Sequence, residues 1–193
     1  RRLAYDEILA NLLVLSQVRK RTKKSKKENK KFDEYLSKKL INNFNFKLTE
    51  NQITIIKEIN DDLRSDYKMF RLLQGDVGSG KTIVAILILL LAIDNGYQGA
   101  LMAPTEILAI QHFKAIEEMF SKIGLKAALL SGSSKVAERR VIHEELMNGK
   151  INLLIGTHAL IEDKVEFQNL GLIVIDEQHR FGVAQRAKLW KKN

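Results

Sequence analysis

Short, mostly apolar runs alternate with longer stretches in which apolar residues recur every three or four positions, from about residue 47 to the C-terminus. The runs at 70–73, 100–103, 127–130, 153–155 and 172–175 have the length and composition of buried parallel strands. The stretches at 49–63, 81–93, 105–121 and 135–147 predict helices, the last closed by Asn148 and Gly149. Strands alternating with helices predict an α/β domain, a parallel sheet covered on both faces. The segment 83–93 is eleven apolar residues without interruption, so that helix should be buried all round.

Before residue 47 the texture differs. Ile8, Leu12 and Leu15, with Leu9 and Leu13 beside them, have the spacing of a one-sided helix over about 2–18, whose apolar stripe needs a cover. Residues 19–31, RKRTKKSKKENKK, contain no apolar side chain and read either as a solvated extension of that helix or as a linker. The domain boundary is therefore placed near Phe46, with a helical, basic connector at 1–46 and an α/β lobe at 47–193.

Charge sharpens this division. The net charge is +9, and residues 1–46 carry 13 Lys and Arg against 5 Asp and Glu, leaving the remainder almost neutral. Any electrostatic argument for nucleic-acid binding thus concerns the connector, whose lysines would neutralise phosphates. No aromatic residue interleaves with 19–31, so base stacking is not expected there, and a solvated connector explains the same composition. The chain has no cysteine, which excludes disulfides, thiolate metal sites and cysteine nucleophiles. The eleven-residue apolar run falls short of the ~18 needed to span a bilayer, and no signal-peptide pattern opens the chain, so a soluble, cytoplasmic protein is expected.

Chemistry enters at Gly75, Asp76, Val77, Gly78, Ser79, Gly80, Lys81 and Thr82, which fit G-x-x-x-x-G-K-[ST] between an expected strand and an expected helix. Glycines let backbone N–H groups turn inward around phosphate oxygens, and a helix starting at Lys81 directs its positive end at them. Lys81 then meets the β- and γ-phosphates of ATP, and the Thr82 hydroxyl ligates Mg²⁺. A glycine-rich turn that binds nothing is the plain alternative.

A second pair of groups follows 95 positions after Lys81. The apolar segment 172–175 ends in Asp176 and Glu177, so a buried strand delivers two carboxylates to its C-terminal end, where open α/β sheets bind ligands. Asp176 suits Mg²⁺ through water, and Glu177 suits a general base for the attacking water. Alone, such a pair would read as an acidic surface turn.

In this order and spacing, GDVGSGKT, APTEILA, GTHAL and DEQHRFGVAQR resemble the first motor lobe of superfamily 2 helicases, and within them those that remodel branched DNA at forks and recombination intermediates. The likeness covers about 46–192, with a weaker echo at 2–13 of a segment joining a DNA-binding wedge domain to the motor. It implies a P-loop NTPase domain of the RecA-like fold, with ATP and Mg²⁺ as cofactors and branched duplex DNA, forks and Holliday junctions as partners. It also implies that a wedge domain, and a second lobe bearing arginine fingers, lie outside this chain.

The resemblance assigns further residues. Phe46 and Gln52 in FKLTENQ correspond to an adenine-recognition element, although Thr49-x-x-Gln52 is also a helix capping box and the two roles are compatible. Pro104, Thr105 and Glu106 correspond to a motif that holds the DNA backbone; an ordinary threonine N-cap explains Thr105 equally well. Ser131 and Gly132, and Gly156, Thr157 and His158, correspond to further strand-tracking motifs. Gln178 and His179 would couple the ATP site to the DNA face.

Three rival readings stand beside this one. Transcription-repair coupling translocases share HRFG but usually carry a second glutamate where this chain has Gln178. A non-catalytic nucleotide- or DNA-binding module would use the same phosphate loop. A small-molecule P-loop kinase would need a lid and a substrate pocket in place of GTHAL and DEQH.

Overall fold

The computed structural model describes residues 47–190 together with Leu36, Ile41 and Lys192. The expected connector helix at 2–18, the basic run 19–31 and Phe46 lie outside the described residues. Two compact units are distinguished, one including Leu48–Val84 and the other including Ala85–Asn193.

In the first unit, helix α1 is Glu50–Arg64. Its N-terminus forms because Thr49 is extended and its hydroxyl accepts from the Gln52 N–H, while Gln52 Oε1 accepts from the Thr49 N–H at 2.9 Å. This reciprocal capping box satisfies two of the orphan donors of a helix start and contributes about 1 kcal/mol. The strand expected at 70–73 is not formed, and Leu72 is 41% exposed. Arg71 accounts for the difference: its guanidinium reaches Glu58 at 2.6 Å and Asp62 at 2.9 Å, both on α1, which ties this segment to the helix. The two carboxylates also raise the Arg71 pKa above its ordinary value, the hydrogen bond to Glu58 contributing most.

Helix α2, Lys81–Asp94, runs on from the phosphate loop. From Ile86 to Ile93 every residue is buried, as an uninterrupted apolar helix requires.

The second unit holds the sheet. Its strands are β1 (Gln98–Met102), β2 (Ala127–Leu130), β3 (Leu153–Gly156) and β4 (Leu170–Ile175). All described pairings are parallel and the order is β2-β3-β1-β4. Two helices cross between strands: α3 is Glu106–Ser121 and α4 is Val136–Met147. A short 3₁₀ turn at His158–Ile161, another at Gln178–Arg180 and a terminal helix α5, Val183–Trp190, complete it. Parallel strands separated by helical crossovers are buried on both faces, and β1 and β3 are buried at every position.

One buried polar side chain holds the start of the sheet. Gln98 Nε2 donates to the carbonyls of Leu146 and Ile151 at 2.9 and 2.7 Å, and its Oε1 accepts from the Asn169 N–H at 3.0 Å. With its amide satisfied on both sides, a buried glutamine costs little and fixes where α4 ends and where β3 and β4 begin relative to β1. No helix among the described residues is long and apolar enough to cross a membrane.

Candidate nucleotide site and motif edge

The phosphate loop lies in the first unit. Gly78 and Gly80 have φ of 81° and 79°, left-handed values that other residues adopt only at a cost. The two differ in surroundings: a Cβ on Gly78 would meet open space, but one on Gly80 would come within 2.3 Å of Gln52 Nε2. That amide donates to the Ser79 carbonyl at 3.2 Å, so Gln52 both caps α1 and ties the helix to the loop. Lys81 Nζ donates to the carbonyls of Gly75 and Asp76 at 2.7 and 2.6 Å. An ammonium folded over the loop that way sits at the start of a helix, where anions are favoured. Val77 stands fully exposed at the tip of the loop, and Thr82 is exposed in the first turn of α2. These residues fit the phosphates of a nucleoside triphosphate: a loop turned by two glycines of left-handed backbone, one ammonium and one exposed hydroxyl.

The second unit gathers the other motifs by topology. In a parallel sheet all strands end at one edge, and Leu130, Gly156, Met102 and Ile175 share the last row of registered partners. The residues immediately beyond that row are Ser131 and Gly132, Thr157 and His158, Ala103 to Glu106, and Asp176 to His179. Ordered along the edge, three groups assigned to DNA tracking come first and the carboxylates last. This is the edge at which open α/β sheets place ligands.

Their environments differ in detail. Thr105 caps α3, its hydroxyl accepting from the Leu108 N–H at 3.3 Å. Glu106 accepts hydrogen bonds from the hydroxyls of Ser131, at 2.7 Å, and Ser133. Those two bonds, that of Ser133 foremost, hold the Glu106 carboxyl below its ordinary value of 4.5. The loop after β2 is thereby fastened to the start of α3. Arg139 adds a second fastening, donating to the Ser131 carbonyl at 2.8 Å and pairing with Glu162 at 3.1 Å. Ser131 and Thr157 are buried, at 2% and 4% exposure, whereas Gly132 and His158 are exposed. Gly156 has a packing reason of its own, because a Cβ there would come within 2.0 Å of the Leu130 carbonyl oxygen.

At the carboxylate end, Glu177 is the one non-glycine residue of left-handed φ, 44°, among the described residues. Such conformations cost of the order of 1 kcal/mol and concentrate at functional sites. Its carboxylate pairs with Arg180 at 3.1 Å. The side chain of Gln178 is taken by Arg186, whose Nη1 donates to Gln178 Oε1 at 3.1 Å, and His179 is exposed.

His112 is the residue that motif reading missed. It lies on α3, two turns after Thr105, and its Nε2 is 3.0 Å from Asp176 Oδ2. Only an N–H can bond a carboxylate oxygen, so the ring carries hydrogen on that nitrogen. The spacing of seven from Thr105, which puts both on one helix face, was the available signal.

A profile of the DEAD/DEAH box helicase family matches residues 49–193. The chain belongs to the DEAD/DEAH box helicase family. Among members of this helicase family, it is 50% identical over 192 residues to the ATP-dependent DNA helicase RecG of Aquifex aeolicus, covering all of this chain and 24% of that protein. The RecG of Bacillus subtilis is 47% identical over 193 residues, with 100% of this chain and 28% of that protein covered. A solved structure of RecG bound to a three-way DNA junction superposes with a TM-score of 0.81 at 47% identity, covering 94% of this chain and 25% of that one. A DEAD box protein from Methanococcus jannaschii, at 22% identity and a TM-score of 0.60 over 80% of this chain and 43% of that one, shares the fold. The chain thus spans about a quarter of the length of the RecG proteins it matches, and the α/β, RecA-like architecture expected from its motifs is the one it shares with the RecG structure.

Proposed function

We propose that this chain is the first, ATP-binding lobe of an ATP-dependent DNA motor that remodels branched duplex DNA. The observation that carries the reading is the likeness to RecG along the whole chain, including the structure of RecG on a three-way junction. It favours the junction-remodelling motors over the transcription-repair coupling translocases, as does Gln178 in place of a glutamate. The lobe is taken to begin after Phe46, with residues 1–46 as the connector to a DNA-binding domain and the cytoplasm as the place of work.

In this reading the glycine cradle and the Lys81 ammonium hold the β- and γ-phosphates of ATP. Lys81 exchanges its two loop carbonyls for phosphate oxygens, and Gln52 supports both the loop and the adenine ring, with Phe46 assigned to the same adenine-recognition element by the resemblance. Thr82 and, through water, Asp176 would hold Mg²⁺, which when bound neutralises charge developing on the phosphates. Glu177 receives the proton of the attacking water on its carboxylate, giving up Arg180 to do so. Gln178 and His179 would carry the state of that site toward the DNA face, where Pro104, Thr105, Glu106, Gly132 and His158 stand along the sheet edge beside the buried Ser131 and Thr157. An arginine from a second lobe would complete the site, a contribution of about 10³- to 10⁵-fold in related phosphoryl transfers.

Replacing Glu177 by Gln tests the assignment in a protein in which this lobe is joined to its second lobe. Hydrolysis should fall by about 10²- to 10⁴-fold while ATP stays bound. Turnover unchanged by the substitution would contradict a catalytic Glu177, and loss of ATP binding would make it a structural residue.

A further inference from the structure

We infer that His112 is a positioning residue for Asp176, fixing the orientation of the carboxylate that would hold Mg²⁺, and that it does so from the helix whose first turn carries the motif assigned to DNA tracking. The inference rests on the reading of Asp176 as the metal-holding acid. His112 and Asp176 lie in one compact unit and meet at 3.0 Å, with the His112 side chain 14% exposed and that of Asp176 39%. The imidazole is the more enclosed of the two, so the carboxylate is the member that reaches outward and the ring is its fixed support. Of the two carboxylate oxygens, Oδ2 accepts from His112 and Oδ1 accepts from the Glu177 N–H at 2.9 Å. Donors on both oxygens constrain the plane of the carboxylate.

Asp176 stands at the end of β4, anchored by its own N–H on the Met102 carbonyl at 2.9 Å. The backbone is thus set by the sheet, and the remaining freedom is rotation of the side chain. A neighbouring donor that removes such rotation characteristically changes metal affinity by about 10- to 100-fold when lost. The helix gives the contact a second meaning. Thr105, the N-cap, and His112 are separated by two turns of α3, about 10 Å, on the same face. A shift of α3 at its DNA-facing end would move the donor under Asp176, a direct mechanical route between the two chemistries.

The test is nucleotide binding by the 193-residue chain, followed with a fluorescent ATP analogue in excess Mg²⁺ and in EDTA. For the natural sequence the metal should tighten binding at least about tenfold. In His112→Ala that ratio should fall to within about twofold of unity while affinity in EDTA is unchanged. His112→Gln, whose amide N–H reaches the same distance, should recover most of it. Retention of the full metal effect in His112→Ala would overturn the inference. So would equal loss of affinity with and without metal in both variants, which is the signature of a packing role. No metal effect in the natural sequence would instead defeat the reading of Asp176 and Thr82 as the metal site, and this inference with it.

Discussion

Gln52 donates from Nε2 to the Ser79 carbonyl at 3.2 Å while its Oε1 accepts from the Thr49 N–H, so one amide joins the start of α1 to the phosphate loop. Its two ends are separable by mutation. Gln52→Glu retains an acceptor for Thr49 but has no hydrogen to offer Ser79. The unfolding midpoint should stay within about 2 °C of the original, since the cap is kept, while ATP affinity falls several-fold. Gln52→Ala should lose both, with about 1 kcal/mol of stability. Thermal unfolding and nucleotide titration on the same samples distinguish the two effects.

Gly78 and Gly80 share a left-handed backbone but not a neighbour, which makes them a controlled pair. Alanine at either position carries a strain of about 1 kcal/mol. Only Gly80→Ala also pushes a methyl group into Gln52. ATP binding should therefore be weakened more by Gly80→Ala than by Gly78→Ala, and adding Gln52→Ala to Gly80→Ala should cost less than Gln52→Ala alone. Additive losses would show that the two residues do not communicate.

Much of this arrangement was legible in the sequence. Apolar runs at 127–130 and 153–155 appear as β2 and β3 almost residue for residue, because buried parallel strands have few other uses for four consecutive apolar side chains. The helix starts at Thr49 and Thr105 were readable from capping chemistry alone. What misled was the run at 70–73, where the pattern of apolar residues suits a strand but the cation among them, Arg71, finds two carboxylates on α1. Helix α5 was missed since its signal is a cap rather than a stripe: the Gly182 N–H donates to Gln185 Oε1 at 3.0 Å. At the site, the phosphate loop and the carboxylates announce themselves because their spacing is chemical. His112 does not, since its partner is 64 positions away and only the fold joins them.

Gly156 illustrates a motif residue with a structural duty. A methyl group there would overlap the Leu130 carbonyl and a methyl of Leu160, forcing β2 and β3 apart. Gly156→Ala should destabilise the sheet by about 1–3 kcal/mol, lowering the thermal midpoint by several degrees. Differential scanning calorimetry checks this, and an unchanged midpoint would mean that the edge yields easily.

Glu106 supplies a pH-dependent contact. Its carboxyl is held below 4.5 by the hydroxyls of Ser133 and Ser131, so the folded state favours the ionised form. The resulting stabilisation is present above the ordinary carboxylate value and is lost as pH falls through the lower folded value. A carbon-13 titration of the Glu106 side chain should give a midpoint below 4.5, and the doubly substituted Ser131→Ala, Ser133→Ala protein should move it upward toward 4.5. A midpoint unaffected by removing both hydroxyls would exclude them as the cause.

If this lobe is one half of a DNA-driven ATPase, turnover is where its incompleteness should be seen. ATP hydrolysis is measured for the chain alone and for the chain joined to a second motor lobe and a DNA-binding domain, each with and without three-way junction DNA. The lobe alone should be nearly silent, and turnover by the joined protein should rise when junction DNA is added. Equal turnover by the lobe alone, or indifference of the joined protein to DNA, would contradict that reading.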